Sequence, residues 1–512
     1  MVESLLDIDT FSEWLTLQTQ SAKRCLTSQL STWHSEPQKV QQLSEKFKRF
    51  KDAFDRDPTF YGHCHAILGE IAEMEAELTS LLHSKSDLER ESYGEILFFK
   101  PLLQPLNFVP YLLTWWSMVR VYLLPGLSLL IPILTMIAPY LIITYVFNIP
   151  ITFSRYMNML QVMISGQFKE MMNMEAVDSV QWSSIPLATL LKQLGVIAMT
   201  FLQGILQPYW THQHLKSVDS IITKHGQLIR RFRESYQRLE ALLQEHGFTF
   251  FRCPLPELSN DRDATARALL QSTYFKMALK YVGHVEVLIK LAHQPEIHAV
   301  RWVKGPSPVF RIQDTFDYQV PTEKRKTLSA KLDRHRHALL TGPNKGGKST
   351  VLRALATSAQ LAHTYGCAFG TLTSTPFSKM FVCLKPDDLP GSKSRFEREI
   401  EFTASTLNTS EPILVFIDEL YHSTNPPDAL RSCEIYAAHL WKKANVVSMV
   451  STHLFDWVEK APKEIQRLCC PAHHDKEGIL HFQYELHAGI CKVSSVEMLL
   501  EKNGLHSANA AS

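Results

Sequence analysis

His337-Ala338-Leu339-Leu340-Thr341-Gly342-Pro343-Asn344-Lys345-Gly346-Gly347-Lys348-Ser349-Thr350 is the stretch on which the fold turns. Its first four residues are a short apolar strand candidate. Gly342 to Ser349 then have the spacing G-x-x-x-x-G-K-S. Behind them Val351, Leu352, Leu355, Ala356, Ala359 and Ala362 recur at helical spacing, with Gly366 placed as a C-cap. Strand, glycine loop and helix is the setting in which this spacing holds phosphate. Glycines let backbone N–H groups close around phosphate oxygens, and the helix N-terminus adds positive potential. The nucleotide-binding set is then Gly342, Pro343, Asn344, Lys345, Gly346, Gly347, Lys348, Ser349 and Thr350. Lys348 is expected at the β- and γ-phosphates and Ser349 at Mg²⁺, so ATP and Mg²⁺ are the expected cofactors.

Two later segments fit the same chemistry. Ile413-Leu414-Val415-Phe416-Ile417 is a continuous apolar run of the buried-strand type and ends in Asp418-Glu419. An acid at such a strand end can hold the Mg²⁺ shell, and the next can orient or deprotonate the attacking water. Asp418 is therefore the second Mg²⁺ residue and Glu419 the candidate base. Val446 to Ser451 reads as another strand and ends in Thr452-His453, which adds His453 to the catalytic candidates.

The chain's first 300 residues are of a different kind. Residues 1–100 read as helical and polar, with Ile67, Ile71, Met74, Leu78, Leu81 and Leu82 near helical spacing. From Pro101 to Ser154 the only charged residue is Arg120. A membrane-spanning helix needs about 20 apolar residues, so this run has room for two. The expected spans are Pro105 to Tyr122 and Leu127 to Val146, with Pro125-Gly126 as the turn; the competing reading is a buried helical hairpin. Gln193 to Tyr209 is apolar but short and reads as core or interfacial. Residues 210–300 return to amphipathic helix, which is ordinarily a solvated face over a core.

A two-span hairpin returns the chain to the side it left. Both flanking regions would then share the cytosolic side with ATP. The expected location is a membrane with the ATPase domain on the cytosolic side; the alternative is soluble and intracellular. Lys and Arg number 53 against 51 Asp and Glu, a net charge of +2 that gives no global field for nucleic acid. The nine cysteines include no CxxC pair and suit a reducing compartment. Cys469-Cys470 with His473 and His474 fits no standard zinc spacing.

At the motifs quoted above the chain resembles the DNA mismatch-repair MutS family. Its TGPNKGGKST differs from the family's TGPNMGGKST only at Lys345. Phe416-Ile417-Asp418-Glu419-Leu420 is similar to the family's strand followed by Asp-Glu. Asp387-Asp388, Gly391 and Ser394-Arg395-Phe396-Glu397-Arg398-Glu399 resemble its D-D…G…S-T-F-x-x-E segment. Ser451-Thr452-His453 resembles A-T-H, and Tyr484-Glu485-Leu486, Gly489 and Val493-Ser494-Ser495-Val496 resemble the closing segment.

The resemblance covers roughly residues 300–500 and implies a homodimer through the ATPase domain. Ser394 would contact the partner copy's γ-phosphate, and His453 would sense or position the γ-phosphate and water. The chain departs from the family in several places. Tyr421 to Asp428 keeps only Thr424 and Asp428 of G-R-G-T-S-T-Y-D, and Arg395 stands where the family has Thr. The adenine-stacking aromatic is narrowed only to Phe316 or Tyr318. Phe11-Ser12-Glu13 has the letters of the mismatch wedge, but in a helical setting, and the chain is too short for the family's full set of DNA-reading domains.

The expected architecture is an α/β P-loop NTPase domain preceded by a mostly α-helical N-terminal half with transmembrane helices. Its divisions fall at 1–100, 101–155, 156–300, 301–500 and a tail from 501 to 512. The expected activity is Mg²⁺-dependent ATP hydrolysis driving a dimeric switch at a membrane, with DNA as a partner implied by the resemblance alone. The alternative is a nucleotide-gated membrane scaffold with slow or no turnover and no mismatch recognition. A transport ATPase ranks last, since the chain has no LSGGQ-like signature.

Overall fold

The computed structural model describes residues 6–83, 86–165, 191, 195, 199, 202–384, 394–475 and 480–493. Asp387, Asp388, Gly391, the segment from Ser494 and the 501–512 tail lie outside them. The chain divides into two compact units. One comprises Met1–Glu73, Arg238–Arg252 and Leu279–Ser512, the other Met74–Gln237 and Cys253–Ala278. This division differs from the boundaries read from the sequence, because the first 73 residues join the nucleotide-binding unit rather than forming a region with residues 74–100.

In the first unit a six-stranded sheet runs in the order His487–Ala488, Gln466–Cys469, His337–Thr341, Val446–Ser451, Ile413–Ile417, Lys379–Cys383. Every neighbouring pair is parallel except the short edge strand His487–Ala488. Val446–Ser451 and Ile413–Ile417 are buried on both faces, which is why the second reads as an unbroken apolar run and the first is interrupted only by Ser448 and Ser451. The helix Lys348–Tyr365 is buried along almost its whole length, so its sequence is dense in Ala, Leu, Ser and Thr. It packs Leu352, Leu355 and Ala359 into one core with Phe416 and Met449 of the sheet and with Phe310 and Ile312 of a second, four-stranded sheet.

The N-terminal helices close the remaining side of that helix. Trp33 stacks on His363 at 3.9 Å, Gln360 Nε2 donates to the Leu30 carbonyl, and Ser44 Oγ donates to the Gly366 carbonyl at 2.8 Å. Gly366 ends the helix with φ of +74° and lies so close that a Cβ would stand 2.2 Å from the Ser44 nitrogen. A side chain there would violate both the backbone conformation and the packing. Phe11, which begins the wedge-like tripeptide, is fully buried against Tyr318 and Phe369. It is a core residue, unable to reach a DNA base stack.

The second unit is helical. Tyr93, Ile96, Leu97, Leu113, Val218, Ile222 and Ala266 form its core. Asp219 ties three segments together, accepting from Arg262 Nε and Nη2 at 2.7 Å each and from Ser117 Oγ at 2.7 Å. The apolar run is where the structure departs most from expectation. Pro125-Gly126 does not turn the chain, and the helix continues from Leu112 to Val146, with wider π turns at Val119–Leu123 and Ile142–Val146. Pro125 has no N–H to give the carbonyl one turn back, at Val121. That carbonyl accepts instead from His212 Nδ1 at 2.7 Å, and the π turn absorbs the ring's bulk.

One helix among the described residues, Leu112–Thr135, is by length and composition able to cross a membrane. It has 24 residues, and most of them are exposed. The segment beside it is not the second half of the same run but Leu202–Leu206 and the start of Gln207–Glu245. Gly204 meets Pro132 there: a Cβ on Gly204 would lie 2.7 Å from the Pro132 ring. Only part of the Gln193–Tyr209 stretch falls within the described residues.

Candidate functional site

The site lies at the carboxyl ends of the parallel strands, where an open α/β sheet presents loops to a ligand. His337–Thr341 runs into the loop at Gly342, and the helix begins at Lys348. Gly342 has φ of +148°, and a Cβ there would sit 2.8 Å from the Cys470 carbonyl oxygen, so only glycine passes. Gly347 caps the helix with φ of +99°. Lys345, the one letter by which the loop departs from TGPNMGGKST, is exposed with φ of +65°. Asn344 is exposed as well, whereas Pro343 and Gly346 are buried and Ser349 and Thr350 are half-buried.

The Lys348 side chain is buried and folds over the loop. Its Nζ donates to the carbonyls of Gly342 at 3.0 Å and Pro343 at 3.1 Å. Burial pushes its pKa below the ordinary lysine value, against the opposing pull of Glu419 and Asp418.

Parallel pairing of Ile417 with Val450 brings Asp418 and Glu419 level with Ser451 at the neighbouring strand's end. Asp418 is buried and accepts from Ser349 Oγ through Oδ2 and from Ser451 Oγ through Oδ1. Glu419 has φ of +51°, an unfavourable conformation for a side chain with a Cβ, and this costs about 1–3 kcal/mol that the surrounding bonds must offset. Its Oε1 lies 3.2 Å from His453 Nε2, and His422 Nε2 stands 4.0 Å from its other oxygen. The hydrogen bond from His453 is the leading cause holding the Glu419 carboxyl below its ordinary pKa, with the charges of His453, His422 and Lys348 acting in the same direction against burial. The carboxylate therefore stays ionised at neutral pH, as a general base must.

Ser349 and Asp418 are the expected Mg²⁺ residues, and the donor set fits. A hydroxyl and a carboxylate, both hard oxygen donors, are in direct hydrogen-bond contact beside the phosphate loop. Mg²⁺ bound there would neutralise charge on the β- and γ-phosphate oxygens.

Ser394 stands apart from this cluster. It caps the helix Arg395–Leu407, accepting from the Glu397 nitrogen at 3.2 Å while Glu397 Oε2 accepts from the Ser394 nitrogen at 2.8 Å. The same helix is fixed to the altered loop after Glu419. Glu399 accepts from Ser423 Oγ at 2.9 Å, and Thr403 shares a hydrogen bond with the Tyr421 hydroxyl at 2.6 Å.

Phe316 and Tyr318 are not base platforms. Both are buried, Phe316 against Phe369 and beneath Arg325, and Tyr318 with its hydroxyl donating to the Asp7 carbonyl. Among the described residues, Tyr484 is an aromatic that does reach the loop. It is 49 % exposed, and its ring edge lies 3.5 Å from where a Cβ on Gly347 would be. Sequence reasoning placed Tyr484 only within the closing segment; nothing local marks it as a neighbour of Gly347. Cys469 and Cys470 are buried, while His473 pairs across a hairpin with His481. Among the described residues no group of three metal-ligating side chains forms there or elsewhere.

This arrangement is that of a P-loop nucleotide site, with a phosphate loop, a hydroxyl–carboxylate pair and a histidine-bound second carboxylate at adjacent strand ends. Comparison with known families agrees with it over the same part of the chain. Residues 338–505 match the family described as MutS domain V, which makes this third of the molecule similar to a MutS-type P-loop ATPase domain.

Proposed function

We propose that the chain is an Mg²⁺-dependent ATPase that uses nucleotide binding and hydrolysis to switch a homodimer between two states at a membrane. The carrying observation is the pair of contacts at the strand ends: Ser349 bonded to Asp418, and Glu419 held 3.2 Å from His453. In this reading the backbone of residues 342–350 wraps the phosphates and Lys348 exchanges loop carbonyls for phosphate oxygens. Glu419 takes a proton from the attacking water, and His453 orients that carboxylate. Ser394, at a helix N-terminus, reaches the γ-phosphate bound by the other copy. The test is ATP turnover by the wild type against Glu419→Gln.

Tyr484 is the base contact in this proposal. Half-exposed, it stands with a ring edge beside Gly347 at the mouth of the loop. Stacking of a base on an aromatic ring is worth about 1–3 kcal/mol. Tyr484→Ala is expected to raise the KM for ATP about tenfold with kcat nearly unchanged, and Tyr484→Phe to preserve both. An unchanged KM in the alanine variant removes Tyr484 from the site.

The membrane component rests on the second unit. Leu127, Leu130, Ile131, Ile133, Leu134, Leu202 and Tyr209 are all exposed, an apolar surface that water does not favour. In this reading the leg from Leu112 enters the membrane and the chain comes back beside it through Leu202–Leu206, so that both flanking parts share the cytosolic side with ATP.

DNA enters through the similarity to MutS domain V alone. If duplex DNA is a partner, its affinity must fall steeply with salt as Lys and Arg displace counterions. We expect binding of the detergent-purified chain to duplex DNA at 50 mM salt and its loss by 200 mM. Absent or salt-insensitive binding to both homoduplex and mismatch removes DNA from the proposal.

A second reading is a nucleotide-gated scaffold with slow turnover. It is favoured by the loop after Glu419, where Tyr421 is buried and bonded to Thr403 in place of the family's small residues.

A further inference from the structure

Ser451 ends its strand completely buried, with its hydroxyl between the two acids of the site. The hydroxyl donates to Asp418 Oδ1 at 2.5 Å and accepts from the Glu419 backbone nitrogen at 2.9 Å. The Ser451 carbonyl accepts from the Leu420 nitrogen at 3.4 Å. One residue thus engages three successive residues of the turn in which Glu419 has φ of +51°. The pattern this segment resembles has alanine here, and alanine can make neither hydroxyl contact.

The two oxygens of Asp418 are divided between two hydroxyls, Ser349 on Oδ2 and Ser451 on Oδ1. Ser349 is expected to turn its oxygen toward Mg²⁺ when nucleotide binds, which removes its restraint on the carboxylate. Ser451 does not follow, because it is packed inside the sheet with its proton on Asp418 and one lone pair on the Glu419 N–H. Its hydrogen bond then remains as the restraint on Asp418 Oδ1.

Building on the ATPase reading, we propose that Ser451 is a positioning residue that sets the Asp418 carboxylate for Mg²⁺ and holds the Glu419 turn through one shared hydroxyl. Groups hydrogen-bonded to metal-binding side chains typically govern metal affinity by 10–100-fold.

The test uses the full chain and a fluorescent, non-hydrolysable ATP analogue, titrated in EDTA and then in rising Mg²⁺. Ser451→Ala is expected to bind the analogue in EDTA within about twofold of wild type. Its half-saturating Mg²⁺ should rise about tenfold, and its kcat should fall with KM for ATP little changed. Wild-type Mg²⁺ half-saturation in the alanine variant overturns the proposal. So does an equal loss of affinity in EDTA, which would mean that the strand end had collapsed. The ATPase reading fails separately: a wild-type chain that binds no analogue, or shows no Mg²⁺ dependence, refutes that reading and this proposal together.

Discussion

Glu419→Gln is expected to lower kcat for ATP hydrolysis by at least 100-fold while leaving nucleotide affinity within a few-fold of wild type. The substitution keeps length and shape, and the glutamine oxygen can still accept from His453 Nε2, the contact that spans 3.2 Å in the wild type. What it removes is the capacity to take a proton, and a positioned general base typically contributes 10²–10⁴-fold. The phosphate loop, Lys348, Ser349 and Asp418 are untouched, so binding should survive.

The pH dependence carries a sign. The Glu419 pKa is lowered, chiefly by the hydrogen bond from His453, so the base is lost only as pH falls below the ordinary carboxylate range. Between pH 6 and 8 this residue should impose no slope on kcat. Steady-state turnover and analogue binding, measured on both proteins, decide the matter. Equal turnover by wild type and Glu419→Gln would sink the enzymatic reading and leave the nucleotide-gated scaffold.

Much of this site was legible because its parts are local. His337–Thr341, Ile413–Ile417 and Val446–Ser451 lie in the middle of a sheet covered on both faces, and their sequences correspondingly carry no Asp, Glu, Lys or Arg, Ile413–Ile417 being apolar from end to end. The helix Lys348–Tyr365 was readable from its start at the glycine loop to its stop at Gly366. What stayed hidden depends on residues distant in sequence. Gly366 reads as a C-cap, but not as the point against which Ser44 packs. Ser451 reads as one letter of a motif, and only the strand register places its hydroxyl between Asp418 and Glu419. Phe316 and Tyr318 looked available because aromatic residues suit both cores and base platforms; burial against Phe369 decides for the core. Pro125-Gly126 misled for a related reason. The pair is a strong turn signal in isolation, and it took a π turn and a histidine from another helix to accommodate the proline within a continuing helix.

Replacing Ile131 and Leu134 together by lysine is expected to release the chain from membranes. Wild-type protein should remain in the membrane pellet after high-salt and carbonate washes, and the double variant should move to the supernatant. Both side chains are exposed, Ile131 at 56 % and Leu134 at 58 %, so the change removes little internal packing. Leu112–Thr135 has 24 residues, about 36 Å of helix at 1.5 Å per residue, against a hydrocarbon core of about 30 Å. Beyond Arg120, whose guanidinium is paired with Glu95 in the same unit, no charged residue occurs before Val146. The helix runs on to Val146, so Ile131 and Leu134 lie near its middle, where a lysine costs about 2.5–3.5 kcal/mol and two should outweigh much of the favourable transfer. In water the same lysines would be solvated. The variant should therefore keep the nucleotide site intact, which ATP turnover in the supernatant would verify. A wild-type chain stripped from the membrane by salt alone would refute the membrane reading and leave the exposed apolar helices to be covered by protein instead of lipid.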